Sequence, residues 1–167
     1  MRGTFLPAAA FVLFASGFGG VGVSIGQAGG AAAAPSNPYD ACTLVTMADL
    51  QTAFGAAFTV TDRSDDGEAR ICQYESQVQR YVVSVYTNKK DRAEFDADAK
   101  KAATPGAAPI HSVTSPAYAI DTFARLVAWK GGITVTVDAS DVTAGMTPEQ
   151  LAAVRVKLVN IALSRVK

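Results

Sequence analysis

The sequence predicts an α+β fold: an antiparallel sheet of about five or six strands with three helices, in the order helix, three strands, helix, three strands, helix. Three observations lead there. From Asp40 onward, apolar residues at helical spacing alternate with apolar residues at strand spacing in that order. The strand runs are joined by short polar or glycine turns, which only antiparallel neighbours can use. With 49% hydrophobic and 18% charged residues, the 167-residue chain can pack one core and is too apolar to be disordered.

Residues 1–34 precede this pattern. Arg2 supplies one positive charge, Phe5 to Ala15 is apolar apart from the break at Pro7, and Gly and Ala then dominate up to Ala34. This is the pattern of a secretory signal peptide with a small-residue cleavage site. Proline fits the position after the cut poorly, so Pro35 places the expected cut after Ala33, with Ala31 at −3. The alternative is an uncleaved membrane anchor, because no charge occurs between Arg2 and Asp40; the seven glycines from Gly17 to Gly30 weaken a spanning helix. The expected organisation is a signal peptide over 1–33, a linker over 34–39 and one domain over 40–167, in a protein that is secreted, periplasmic or at the cell envelope. No stable membrane span is expected after cleavage.

Thr46 and Asp49 stand in capping-box relation, which predicts a helix over about Met47 to Phe54 with Gly55 as its C′ residue. A short strand is expected near Phe58–Thr61, then a charged turn from Asp62 to Glu68. Cys72 and Tyr74 share one face of the next strand, and Glu75 to Val78 reads as a hairpin turn into a stronger strand over Gln79–Thr87. Thr87 or Asn88 caps a second helix, about Lys89 to Ala103, with Phe95, Ala99 and Ala102 inward and Pro105-Gly106 ending it. Ala107 to Ser115 is linker, and Ala117 to Ile120 can join the sheet. Phe123 to Trp129 is a strand with Phe123, Val127 and Trp129 on one face and Leu126 on the other. Lys130-Gly131-Gly132 is a tight turn, because glycine supplies the positive φ that hairpins need. Ile133, Val135 and Val137 return with Thr134 and Thr136 outward, and Asp138 to Gly145 is a loop. Thr147 as N-cap, Pro148 at N1 and Gln150 at N3 open the last helix, which runs to about Ser164 with Leu151, Val154, Leu158 and Ile161 on one side.

Asp40-Ala41-Cys42-Thr43-Leu44-Val45-Thr46, Cys72-Gln73-Tyr74 and the hairpin Leu126-Val127-Ala128-Trp129-Lys130-Gly131-Gly132 together resemble a family. It is the bacterial, largely actinobacterial, exported or lipoprotein-type domain of unknown function, which has a Cys-x-Leu-x-Thr helix start and a Cys-x-Tyr strand. The resemblance covers about Asp40 to Val166. This chain lacks the lipobox that many members have, and Val113-Thr114-Ser115-Pro116-Ala117-Tyr118 stands where members often have a glycine-rich loop. The resemblance implies no catalytic residues. It implies a domain that binds lipids or other small molecules, or that acts as a sensor or scaffold in the envelope.

The residues themselves argue against most chemistry. The 15 basic and 15 acidic residues balance, and no basic run or stripe points to nucleic acid. Cys42 and Cys72 are the only cysteines. In an exported chain they are expected to bond to each other, closing a loop of about 30 residues worth roughly 3–4 kcal/mol in the chain-entropy picture. They lack the Cys-x-x-Cys spacing of a redox pair. His111 is the only histidine, so a serine triad would have to use it; Ser112 and Ser115 are sequence neighbours, and no Gly-x-Ser-x-Gly elbow exists. One histidine and two oxidised cysteines do not make a zinc site. Asp62, Ser64, Asp66 and Glu68 alternate as calcium ligands would, but the twelfth position is Gln73 rather than a bidentate Glu. Tyr74, Tyr81, Tyr86, Tyr118 and Trp129 lie on or near strands. They are candidates for lining a ligand groove if one sheet face is left open, and core residues otherwise. The expectation is therefore a non-enzymatic binding domain without cofactor, catalytic residues or metal. Its partner would be a small molecule or lipid, or alternatively another envelope protein; a hydrolase is the remaining alternative.

Overall fold

A computed structural model describes residues 39–67, 69–102, 110, 112–120, 125–142 and 145–167. The chain divides after Ala34 into two units, and all the described residues belong to the second, Pro35–Lys167. The expected signal peptide, most of the linker, Glu68, His111 and Phe123 lie outside the described residues.

The expected α+β class holds. The elements are α1 (Ala41–Leu44), α2 (Met47–Phe54), β1 (Thr59–Asp65), β2 (Ala69–Ser76), β3 (Tyr81–Lys89), α3 (Arg92–Ala102), β4 (Ala117–Ile120), β5 (Arg125–Lys130), β6 (Ile133–Asp138) and α4 (Pro148–Arg165). The six strands form one antiparallel sheet in the order β1-β2-β3-β6-β5-β4. The one-turn α1 is additional to the three expected helices. It forms because the Asp40 carboxylate accepts the Cys42 N–H at 3.0 Å, capping a turn too short to propagate alone.

Local signals placed most termini. Asp49 Oδ2 accepts the Thr46 N–H at 2.8 Å while Thr46 Oγ1 accepts the Asp49 N–H at 3.3 Å, and Gly55 ends α2 at φ +68°. The same reciprocal pair, Thr147 with Gln150, opens α4. The β5–β6 connection is the two-residue Gly131-Gly132 turn, with φ +58° and +83°.

Several boundaries move. Asp62 to Asp65 is strand rather than turn: β1 pairs with β2 as far as Asp65↔Arg70. Every residue of β1 is exposed, so it has no apolar alternation to read, and its charges suit a sheet edge. The β2–β3 turn falls at Gln77–Arg80 rather than Glu75–Val78, because Ser76 pairs with Tyr81 and both are buried. Arg80 takes the left-handed conformation that closes it, φ +55°. β3 extends to Lys89, paired with Ile133, so α3 starts later than expected, with Asp91 and Glu94 exchanging N–H bonds at its start. Thr87 is therefore no cap; it is buried and donates to the Tyr39 carbonyl. Thr134 is buried rather than outward, between Asn88 and Trp129 in register. In α4 the most buried line is Arg155, Leu158, Val159, Ala162 and Leu163, whereas Leu151, Val154 and Ile161 are half-buried.

The strand period sorts the sheet into two faces. Cys72, Tyr74, Ser76, Tyr81, Val83, Val85, Thr87, Leu126, Ala128, Ile133, Val135 and Val137 share the face that packs with α1, α2 and α4 in the main core. The other face has only α3 over it among the described helices, at the β4 end. There Phe95 is buried against Tyr118, ring centroids 5.1 Å apart, and Tyr118 pairs with Val127.

Candidate functional site

The part of this second face away from α3 is the candidate site. Alternation in β3 directs Val82, Ser84, Tyr86 and Asn88 to it, and all four are half-buried. Register places Ile71, Gln73 and Glu75 of β2 on one side of them and Thr136 and Asp138 of β6 on the other. β1 adds Thr59, Asp62 and Ser64; a register shift between Val60 and Asp62 brings Thr59 and Asp62 to the same side as Glu75 and Gln73. The result is a sheet face that mixes an aromatic and two aliphatic side chains with neutral polar and acidic ones.

Its charges are unevenly compensated. Asp138 accepts the Ser140 N–H at 2.9 Å and lies 4.0 Å from Arg125. The carboxylates of Asp62 and Glu75 have no hydrogen-bond or ion-pair partner among the described residues. The face is therefore net acidic toward its β1 edge and favours a neutral or basic partner.

The five aromatic candidates do not meet at one place. Tyr74 and Tyr81 point to the helix side and are core. The Tyr74 hydroxyl donates to the Val45 carbonyl, and burial, with the nearby Asp40 charge, pushes its pKa up. The Tyr81 ring sits 5.8 Å from that of Phe54. Tyr86, Tyr118 and Trp129 lie on the other face, but α3 engages two of them. Tyr118 packs against Phe95 with the rings tilted 52° to each other, and Trp129 Nε1 donates to the Lys90 carbonyl at 2.8 Å with the Arg92 guanidinium 5.7 Å from its ring centre. Tyr86 alone of the five is left on the part of the sheet away from α3.

A shallow, open depression of about 380 Å³ lies at the sheet end, lined by Tyr39, Lys89, Lys90, Asp91, Glu94, Gly131 and Gly132. None of the five aromatics lines it. Lys90 pairs with Asp98, which raises the lysine pKa and lowers that of the acid. The lining carries both signs of charge.

Cys42 and Cys72 are joined, with Cα atoms 5.2 Å apart. Around the bond, the segment Tyr39–Thr46 is held to the sheet by Thr87, by Tyr74 and by the Arg63–Asp40 ion pair. Among the described residues no group of three or more His, Cys, Asp or Glu is arranged to hold a metal ion. Of the residues that alternate as calcium ligands would, Asp62 and Ser64 lie on the exposed strand β1, and Asp65 beside them accepts from the Gly67 N–H and Arg70. Ser112, a neighbour of His111, gives its carbonyl to the Asn160 side chain.

Sequence reasoning missed two features. Arg165 grips Asp49 through two bonds, 2.6 and 3.0 Å, and also donates to the Leu44 carbonyl. The partners are 116 residues apart, and nothing local announces the contact. Arg155 is buried in the middle of the inward stripe of α4; the signal was there, since 151, 155, 158 and 162 follow helical spacing. Compared with known proteins, the chain matches no family model, no curated protein and no solved structure.

Proposed function

We propose that this chain is an exported, non-catalytic binding domain of the bacterial cell envelope that holds a partner protein against the open face of its sheet. The observation that bears the reading is the surface formed by Ile71, Gln73, Glu75, Val82, Ser84, Tyr86 and Thr136, away from α3 and flanked by acids of β1 and β2 that have no partner among the described residues. A surface of mixed polar and apolar groups around a tyrosine has the composition of a protein contact rather than of a lipid site. Asp62 and Glu75, without partners among the described residues, point to a partner surface that is neutral or basic. The signal-like residues 1–33, the Cys42–Cys72 bond and the resemblance over Asp40–Val166 support export and an envelope setting.

A second reading is favoured by the depression at Lys89, Lys90, Glu94 and the Gly131-Gly132 turn, whose size suits a small polar molecule with both charges. Native mass spectrometry of protein purified from its own envelope separates the two. The expected result is a complex with a second polypeptide that dissociates on raising the salt. A retained small molecule with no polypeptide partner would favour the second reading and contradict the first.

A further inference from the structure

Register sets Ile71 beside Tyr86, Gln73 beside Ser84 and Glu75 beside Val82 along the middle of the open face. α3 packs at the β4 and β5 end, where Phe95 meets Tyr118 and the Lys90 carbonyl, just before the helix, meets Trp129. Four adjacent strands, β1, β2, β3 and β6, are left with no helix over this face among the described residues.

The end where β2 turns into β3 carries both halves of a charge complement. Glu75 is an acid on the face and Arg80 a base in the exposed turn Gln77–Arg80, and neither has a partner among the described residues. The same turn holds Val78, 90% exposed, an apolar side chain at a position that suits Gly, Asn or Asp better. Arg80 itself takes the left-handed conformation, φ +55°, where glycine or asparagine would be less strained. Neither residue type is explained by the turn. The chain as a whole has 15 basic and 15 acidic residues, so one copy meets no net repulsion from another.

We propose that the open face receives a second copy of this chain, in a two-fold, face-to-face dimer with reciprocal Glu75–Arg80 contacts. This rests on the open face being a protein contact and names the partner. A half-turn about an axis along the strands, between β2 and β3, lays β2 of each copy over β3 of the other. Ile71 then meets Tyr86, Gln73 meets Ser84, and Glu75 comes to the start of β3 beside Arg80, each twice over. Val78, at the tip of the turn that straddles the axis, gains its own counterpart as an apolar neighbour. Asp62 comes opposite Asp138, where Arg125 stands 4.0 Å away to take up the charge. The axis bisects the four open strands, so the edge strand β1 of each copy stops short of the other's α3. With strands about 4.8 Å apart and a rise of about 3.4 Å per residue, four strands over about six residues offer each copy roughly 400 Å² of plane. That suits a weak, concentration-dependent dimer rather than an obligate one.

The test is sedimentation velocity of the purified protein across the micromolar range, for the wild type, Arg80→Glu, Glu75→Arg and the double reversal. A monomer–dimer equilibrium is expected, weakened about tenfold by either single reversal and restored by the double one. In a mixture of isotope-labelled and unlabelled protein, a photoreactive amino acid at position 86 should join one copy to the peptide of the other that contains Ile71. Should a reversal fail to fold, the wild-type mass and this link decide. A monomer at every concentration overturns the proposal. So does a dimer indifferent to all three variants, or one whose links between copies from position 86 avoid the Ile71 peptide. The two failures are distinguishable: a monomer that still gives an adduct with a different protein from position 86 in cells loses the second copy and keeps the protein contact, whereas a monomer with no adduct loses both.

Discussion

Asp49 does three things with one carboxylate. It caps α2 through the Thr46 N–H, accepts the Thr46 hydroxyl at 2.7 Å, and receives both ends of the Arg165 guanidinium. The Arg165 hydrogen bonds, more than any other cause, lower its pKa from 3.8 to about 2. A carboxyl whose folded pKa lies below its unfolded one contributes stability above the unfolded value and loses it as the pH falls toward the folded one. The Asp49 contribution is thus complete above about pH 4 and fades down to about pH 2. The Asp49 side chain is 15% exposed and that of Arg165 38%, so water screens the pair and its worth is about 1–2 kcal/mol. Asp49→Asn should lower stability near neutral pH by that amount and flatten the acid limb of the stability–pH curve, read from urea midpoints between pH 2 and 5. A second residue-scale prediction concerns Tyr74. Removing its hydroxyl leaves the buried Val45 carbonyl without that donor, so Tyr74→Phe should cost about 1–2 kcal/mol in urea unfolding. Half of the Asp49 arrangement was legible, because a capping box is written within four consecutive residues. The other half was not, because Arg165 reaches it only once α2 and α4 have packed.

Elements whose ends are set by local chemistry were legible, and those set by pairing were not. Thr147-Pro148-Glu149-Gln150 starts α4, Gly55 stops α2 and Gly131-Gly132 turns the β5–β6 hairpin as their residue types demand. Gly55 adopts φ +68°, where a side chain is strained even though a Cβ would meet nothing. Gly55→Ala should therefore cost about 1 kcal/mol through the backbone alone, measurable as a shift in urea midpoint without a change in slope. The missed boundaries have a different physics. β3 runs on to Lys89 and postpones α3 because its partner β6 offers Ile133 there. β1 runs on through Asp62–Asp65 because an edge strand needs only one neighbour and no buried face. The orientation of α4 could not be read from its aliphatic residues alone, since Arg155 takes a place in the inward stripe and turns Val154 and Ile161 toward its flanks.

At the scale of the molecule, the single sheet separates two environments that the sequence pattern could not distinguish. Both faces of β3 have an aromatic at strand spacing, Tyr81 on one and Tyr86 on the other, yet among the described helices three pack over the first face and only α3 lies over the far end of the second. Four of the five aromatic candidates are thereby engaged in packing, and Tyr86 alone remains on the part of the sheet away from α3. The Cys42–Cys72 bond fixes the entering segment to the covered face across 30 residues. Replacing both cysteines with alanine should lower stability by about 3 kcal/mol, seen in urea denaturation beside the oxidised protein, while leaving the open face intact. The claim that this open face is a protein contact is tested most directly by photo-crosslinking in intact cells, with a photoreactive amino acid at Tyr86 and, as control, at exposed Gln51 on the helix side. The prediction is one discrete protein adduct from position 86, lost when Glu75→Lys reverses a charge farther along the same face, and none from position 51. No adduct from position 86, or equal adducts from both positions that are indifferent to Glu75→Lys, would contradict it.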